Sequence, residues 1–233
     1  MRDYIYFSNK NISDFGTFIT NAGVYATPVR GYESIPVEGR NGNVIFDKDN
    51  YENIEYRYPS AIPKDFDKNY TALRAFMLSN RGYKRLSDTF NPDEFYMATF
   101  ARFDAVRQPY LNGDMGSFDM IFERKPQRYL KSGEKKFTFT SNGSLKNPTQ
   151  FRALPLITVY GNGKLTIGDI SIDIDTEYAH LDIDCELQEV LQTEGNLDVT
   201  LDNGEFPKLE VGVNNISFTG LTKVEITPRW WTL

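Results

Sequence analysis

The clearest feature of the chain is an alternation of apolar and polar positions through its second half. Apolar residues recur at every second position in Phe137/Phe139, Ile170/Ile172/Ile174, Leu181/Ile183/Cys185/Leu187, Leu197/Val199/Leu201, Leu209/Val211/Val213, Ile216/Phe218 and Val224/Ile226. Successive side chains of a strand point to opposite faces, so a period of two predicts half-buried strands. Turn residues fall between them. Asn162-Gly163 predicts a tight hairpin, and Glu194-Gly195-Asn196 and Asn203-Gly204 separate later strands. Many short strands with no helical stretch predict an antiparallel β-sandwich.

The first half is more mixed. Strand patterns occur at Tyr4 to Phe7, Phe15 to Thr20, Ile54 to Tyr58, Phe95 to Phe103 and Phe118 to Glu123. One helix is predicted over about 69–80: Tyr70, Leu73, Phe76 and Met77 fall on one face, Asp67 or Asn69 can cap the start, and Gly82 suits a left-handed stop. The stretch of about 32–62 centres on the turn Glu38-Gly39-Arg40-Asn41-Gly42-Asn43 and has few apolar residues for its length, so it predicts a projecting hairpin arm. Near Pro126, Gln127 and Arg128 a strand pattern stops and Pro and Gly appear, which predicts a hinge between domains 1–128 and 129–233.

Charge sharpens this division. Residues 1–128 carry 17 basic and 17 acidic side chains and residues 129–233 carry 9 and 15, so the whole net charge of −6 lies in the second half. An acidic domain is poorly suited to clamping phosphate backbones, which argues against nucleic-acid recognition. With 40 % apolar and 25 % charged residues, the 233-residue chain can build real cores. No run approaches the roughly 18 apolar residues of a membrane span, and Met1-Arg2-Asp3-Tyr4 lacks a signal-peptide pattern. A soluble protein with no membrane insertion is expected.

Candidate chemistry is sparse. One Cys, Cys185, and one His, His180, make neither a disulfide nor a structural zinc site. On a strand from Ala179 to Leu187 they fall on opposite faces, which forbids a nucleophile–base dyad; Cys185 reads as core and His180 as solvated surface. Asp173 and Asp175, with Asp182, Asp184 and Glu186 on the following strand, read either as a solvated acidic face or, less simply, as oxygen ligands for calcium across a hairpin. Gly161-Asn162-Gly163-Lys164 has no helix to follow it, so it reads as a turn rather than a phosphate loop. No cofactor is expected. Arg40 is either a solvated turn residue or the tip of an arm that pairs with a carboxylate of a neighbouring subunit.

Several short motifs carry a resemblance. Pro126-Gln-Arg-Tyr-Leu-Lys-Ser-Gly-Glu134, Asn147-Pro-Thr-Gln-Phe-Arg-Ala-Leu-Pro-Leu-Ile-Thr-Val-Tyr-Gly161, Gly39-Arg-Asn-Gly42, Pro228-Arg-Trp-Trp-Thr-Leu233 and Leu73-Arg-Ala-Phe-Met-Leu78, with Gly82-Tyr-Lys-Arg-Leu86 to Asn91-Pro-Asp-Glu-Phe95, resemble the distal tail protein (Dit) family of long-tailed phages of Gram-positive bacteria. The motifs occur in the family's order over nearly the whole chain; at the start only Asp14-Phe15-Gly16 matches.

The resemblance implies a mainly β protein with two β-sandwich domains and one helix. The N-terminal domain, with an extended hairpin, would form a hexameric ring, and a galectin-like sandwich would hang outside. Such a homo-oligomer is a non-enzymatic part of the virion tail tip or baseplate hub, made in the host cytoplasm from a free or an integrated phage genome. It joins the tail tube protein to the tail-associated tip protein and to receptor-binding proteins, and DNA passes through the ring without specific binding. Ring-interface candidates are Val37, Gly39, Arg40, Asn41, Gly42 and Asn43. The second reading is a carbohydrate-binding adhesin module, although the His, Asn, Arg and Trp cluster of a sugar-binding galectin is missing and Trp230 and Trp231 should face opposite ways. A hydrolase is the third.

Overall fold

The computed structural model describes residues 3–21, 26–107, 114–191, 197–201 and 204–233. The expected turn Glu194-Gly195-Asn196, Asn203 of the next turn, and Met1-Arg2 lie outside them. The chain is mainly β with one α-helix, and contacts divide it into two units, 1–128 with Leu233 and 129–232.

Among the described residues the first unit has nine strands and one α-helix: β1 (Ile5–Phe7), β2 (Lys10–Asn11), β3 (Phe18–Ile19), β4 (Arg30–Ile35), β5 (Val44–Tyr51), β6 (Ile54–Ile62), α1 (Phe66–Ser79), β7 (Lys84–Asp88), β8 (Glu94–Arg107) and β9 (Gly116–Arg124). Seven of the strands form one antiparallel path, β2-β1-β7-β8-β9-β6-β3. Alternate residues build its core. Tyr56, Tyr58 and Ile62 on β6 and Phe118, Met120 and Phe122 on β9 are buried with Ile5, Phe7 and Leu86. Phe7 and Tyr58 both meet Phe122 edge to face, with centroids 5.2 and 5.8 Å apart, the arrangement that ring quadrupoles favour.

Helix α1 covers this core with Phe66, Leu73 and Met77, which repeat at helical spacing. Its start differs from the expectation. The cap is Asp65, in the left-handed region at φ 52° and without a side-chain capping bond; Asn69 sits inside the helix and donates to the carbonyl of Lys64. At the other end Asn80 takes the stop by donating its side chain to the Phe76 carbonyl at 2.8 Å, and Gly82, though left-handed at φ 69°, lies two residues further on. The arm also has a different extent from 32–62. It is the ribbon β4–β5, whereas Ile54–Ile62 is an interior strand between β9 and β3. The alternating burial of Tyr56, Tyr58, Ser60 and Ile62 explains why: that stretch is apolar on one face and belongs in the core.

Strand β10 (Arg128–Leu130) begins on the last residue of the first unit, and the second unit continues with β11 (Phe137–Phe139), β12 (Gly143–Asn147), β13 (Leu156–Tyr160), β14 (Gly163–Ile167), β15 (Ile170–Thr176), β16 (Leu181–Asp184), β17 (Glu189–Leu191), β18 (Leu197–Leu201), β19 (Gly212–Thr219), β20 (Lys223–Thr227) and β21 (Trp231–Thr232). Two five-stranded antiparallel sheets, β11-β20-β13-β16-β17 and β12-β19-β14-β15-β18, share one core, to which Ile157, Val159, Ile183, Val224 and Ile226 come from the first and Leu165, Ile172, Ile174 and Ile216 from the second. This is the expected sandwich.

Three local expectations fail here. Asn162-Gly163 is not a hairpin turn, because β13 and β14 lie in different sheets; the two-residue hairpin is at Gly168-Asp169, between Ile167 and Ile170. The Asn162-Gly163 corner crosses between sheets and lies against a second corner at Gly220, where a Cβ would come within 2.5 Å of the Asn162 carbonyl oxygen. Next, Val211 and Val213 are 53 % and 67 % exposed. Gly212, at φ 91°, resets the parity so that Asn214 and Ile216 face inward, and the buried Asn214 amide is satisfied by backbone around Glu210 and Gly212.

The acidic rows make the third failure, since β15 and β16 belong to different sheets and cannot share a hairpin face. Asp184, expected outward, is 4 % exposed. Arg229 donates to both its oxygens at 2.7 Å, and the Glu186 and Leu187 amides donate to Oδ1. Burial by itself would raise the Asp184 pKa, but these donors outweigh it and hold the carboxyl below the usual range. On the outer face the Lys136 and then the Lys223 ammonium, each 2.8 Å away, pull Glu225 down to about 2.

A pH prediction follows from the sign of both shifts. Carboxylates depressed in the folded state stabilise it above their unfolded pKa of about 4, and that contribution disappears as pH falls through the folded values. The melting temperature of the second unit should therefore be flat above about pH 5 and fall between about pH 4 and 2, measured by calorimetry. A constant melting temperature across that window would contradict these pairings.

Candidate functional site

The arm is the part of the first unit that its own fold leaves unexplained. Strands β4 and β5 pair in register from Ile35↔Val44 to Tyr32↔Asp47, shift between Tyr32 and Arg30, and pair with no other strand among the described residues. At the base, a Cβ on Gly31 would meet the Asn50 side chain, which is exposed and would have to turn aside. Arg30 forms an ion pair with Asp47 there.

The tip contains every ring-interface candidate. Residues 36–43 are all exposed; Gly39 and Gly42 adopt φ 77° and 82°, which ordinary side chains avoid. Only light internal bonding holds the loop: the Arg40 amide donates to the Val37 carbonyl at 3.3 Å, and Asn43 Nδ2 donates to Ser34 Oγ at 2.8 Å.

Below the tip the ribbon carries apolar side chains on both faces. Register and strand alternation put Ile35, Val44 and Phe46 on one face and Tyr32 and Ile45 on the other. Phe46 is 61 % and Ile45 59 % exposed, and Tyr32, Ile35, Val37 and Val44 are exposed as well. A lone two-stranded ribbon is marginally stable in water, and a contiguous exposed apolar patch marks an interaction surface. The sequence signalled the arm through its turn but not this apolar content.

The hinge candidates lie where the two units divide. Arg128 makes a two-point ion pair with Glu94 at 2.6 to 2.9 Å, and Gln127 Oε1 is buried without a hydrogen-bond partner among the described residues. The remaining chemistry stays dispersed. His180 is exposed, with its ring centroid 5.6 Å from that of Tyr160. Cys185 is 1 % exposed, and burial, aided by the charge of Asp184, pushes its thiol up to about 12. Trp230 is buried, while Trp231 stacks on Phe151 at 4.5 Å and donates its indole N–H to the Arg152 carbonyl. Among the described residues no group of three or more His, Cys, Asp and Glu is placed to hold a metal, and no helix is long and apolar enough to cross a membrane.

Alkylation of Cys185 in the native protein at pH 8 should be on the order of a thousandfold slower than in denaturant, because a thiol titrating near 12 is almost wholly protonated there. Rapid native labelling would reopen a nucleophilic role for Cys185.

Comparison with known proteins adds a whole-chain likeness. No family model matches the sequence, and no curated protein matches it. Among solved structures, SPP1 Dit, described as a paradigm of the hub adsorption apparatus in phages infecting Gram-positive bacteria, aligns over 100 % of both chains with a TM-score of 0.74 at 12 % identity. A chain of the phage P2 baseplate in its activated conformation with Ca aligns over 97 % of both chains with a TM-score of 0.56 at 11 % identity. The corresponding Sr structure gives a TM-score of 0.55 at 11 % identity, over 97 % of this chain and 96 % of that one. From end to end, therefore, this chain has the fold of a phage Dit hub protein.

Proposed function

We propose that the chain is a structural, non-enzymatic subunit of a phage tail tip or baseplate hub. It self-associates through its first unit into a ring, hexameric by the family resemblance. The ring joins the tail tube protein to the tail-associated tip protein and to receptor-binding proteins. Pro126, Gln127 and Arg128 act as the hinge to the second unit. The observation that carries this reading is the apolar β4–β5 ribbon, which exposes Ile35, Val44, Ile45 and Phe46 and pairs with no other strand among the described residues. The full-length likeness to a hub protein supports it. Near-neutral charge in residues 1–128 also favours packing identical subunits, because it limits their mutual repulsion.

Separating the halves tests the reading. Residues 1–128 should self-associate. Residues 129–233 should melt cooperatively, since their core is built from their own two sheets, stay monomeric, and bind nothing on a broad glycan array. Strong binding of one glycan class by the second half, with a monomeric first half, would put the adhesin reading ahead. Phe151 already covers one face of the Trp231 ring, which leaves less of it for a sugar.

A further inference from the structure

Arg124 ends strand β9 inside the first unit, is 4 % exposed, and lines a cavity of about 290 Å³. Its guanidinium lies between two phenol rings, 3.6 Å from the Tyr56 centroid and 4.0 Å from that of Tyr96. Among the described residues its Nε has no hydrogen-bond partner and no carboxylate forms an ion pair with it. Of the neighbouring acids, Glu94 is held by Arg128, whereas the buried Asp88 accepts from the neutral donors Tyr58 and Asn91, so its charge offsets part of that of Arg124 without a hydrogen bond to it.

A guanidinium cannot shed its charge by losing a proton. Stacking on two aromatic faces attracts it, but that attraction is smaller than the cost of removing an unpaired ion from water. We propose that the cavity is a carboxylate-binding site. Arg124 takes the anion, Tyr56, Tyr96 and Phe90 provide an apolar wall for the body attached to it, and Tyr51, Asn91, Arg128 and Leu233 are among the other residues that line the cavity. A planar carboxylate on a small apolar or aromatic body fits this lining. It comes either from a free small acid or from an acidic side chain of a second copy of the chain, and the site itself does not depend on the tail-tip reading.

Calorimetric titration of the full chain with benzoate and its neutral isostere benzamide tests the site. Benzoate should bind at least about tenfold more tightly, the effect of one charge-assisted hydrogen bond. The preference should vanish in Arg124→Met and persist in Arg81→Met, which removes an exposed arginine. Equal affinity for acid and amide, or a preference that survives Arg124→Met, would overturn the proposal. The acid–amide comparison on the unaltered protein stands even where Arg124→Met fails to fold. Light scattering during the titration identifies the source. A fall in mass on saturation points to a second copy's acidic side chain and an unchanged mass to a free acid; both outcomes require the benzoate preference to be present.

Discussion

Replacing Val44 and Phe46 with aspartate should convert an assembly of this protein into monomers without changing the melting temperature of either unit. The two residues share a face of the β4–β5 ribbon with Ile35 and are exposed in the single chain. Covering the free part of one Phe ring removes roughly 120 Å² of apolar surface from water, worth about 3 kcal/mol per contact. A carboxylate in the same place removes that gain and must itself be desolvated, so each subunit contact should weaken by about two orders of magnitude or more. Sedimentation velocity of the double variant beside the unaltered chain measures this. Folding should not suffer, since the ribbon pairs with no other strand among the described residues. If the assembly persists at unchanged affinity, the subunits meet elsewhere.

The largest effect on folding should come from Gly163→Ala. Gly163 adopts φ 151°, and a Cβ there would run into the carbonyl oxygen of Thr219 and lie 2.9 Å from the Cα of Gly220. Both obstacles are backbone atoms of the neighbouring sheet-crossing corner, so no side chain can swing aside. The cost should be about 3 kcal/mol or more, from overpacking added to an unfavourable backbone conformation. That corresponds to a fall of about 10 °C or more in the melting temperature of a domain this size. Gly168→Ala supplies the comparison. Gly168 is left-handed at φ 60° but has nothing within 4 Å of its would-be Cβ, so the cost should be only about 1 kcal/mol. Equal losses in the two variants would show that φ alone, and not the crossing of two corners, sets the cost at Gly163.

These corners also mark the limit of what could be read from the sequence. Alternation identified the strands of the second unit because each has one wet and one dry face, and Ile172, Ile174, Val224 and Ile226 are buried as the period of two requires. Which sheet a strand joins is a long-range property. Asn162-Gly163 offers the same local turn chemistry to a hairpin and to a crossing, and only the pairing of β14 with β15 and β19 decides between them. Asp184 looked outward because its partner, Arg229, is 45 positions away in the chain.

In the first unit the helix was legible from Tyr70, Leu73 and Met77, but its cap was not, since Asp65 caps through backbone geometry without a side-chain bond. The turn of the arm was equally plain in Gly39 to Asn43, while its end was blurred because the ribbon runs almost directly into the core strand β6. Arg124 left no signal: within Glu123-Arg124-Lys125 it reads as one more charge on a polar edge, and only the approach of Tyr56 and Tyr96 from other strands reveals a buried cation.

The central claim, that this chain is a ring subunit built through its first unit, is tested most directly by the native mass of the purified full-length protein at tens of micromolar. A closed assembly of six chains is expected, in line with the family resemblance, and it should fall to single chains in the Val44→Asp/Phe46→Asp variant. A strict monomer, or a dimer held by residues 129–233, would contradict it.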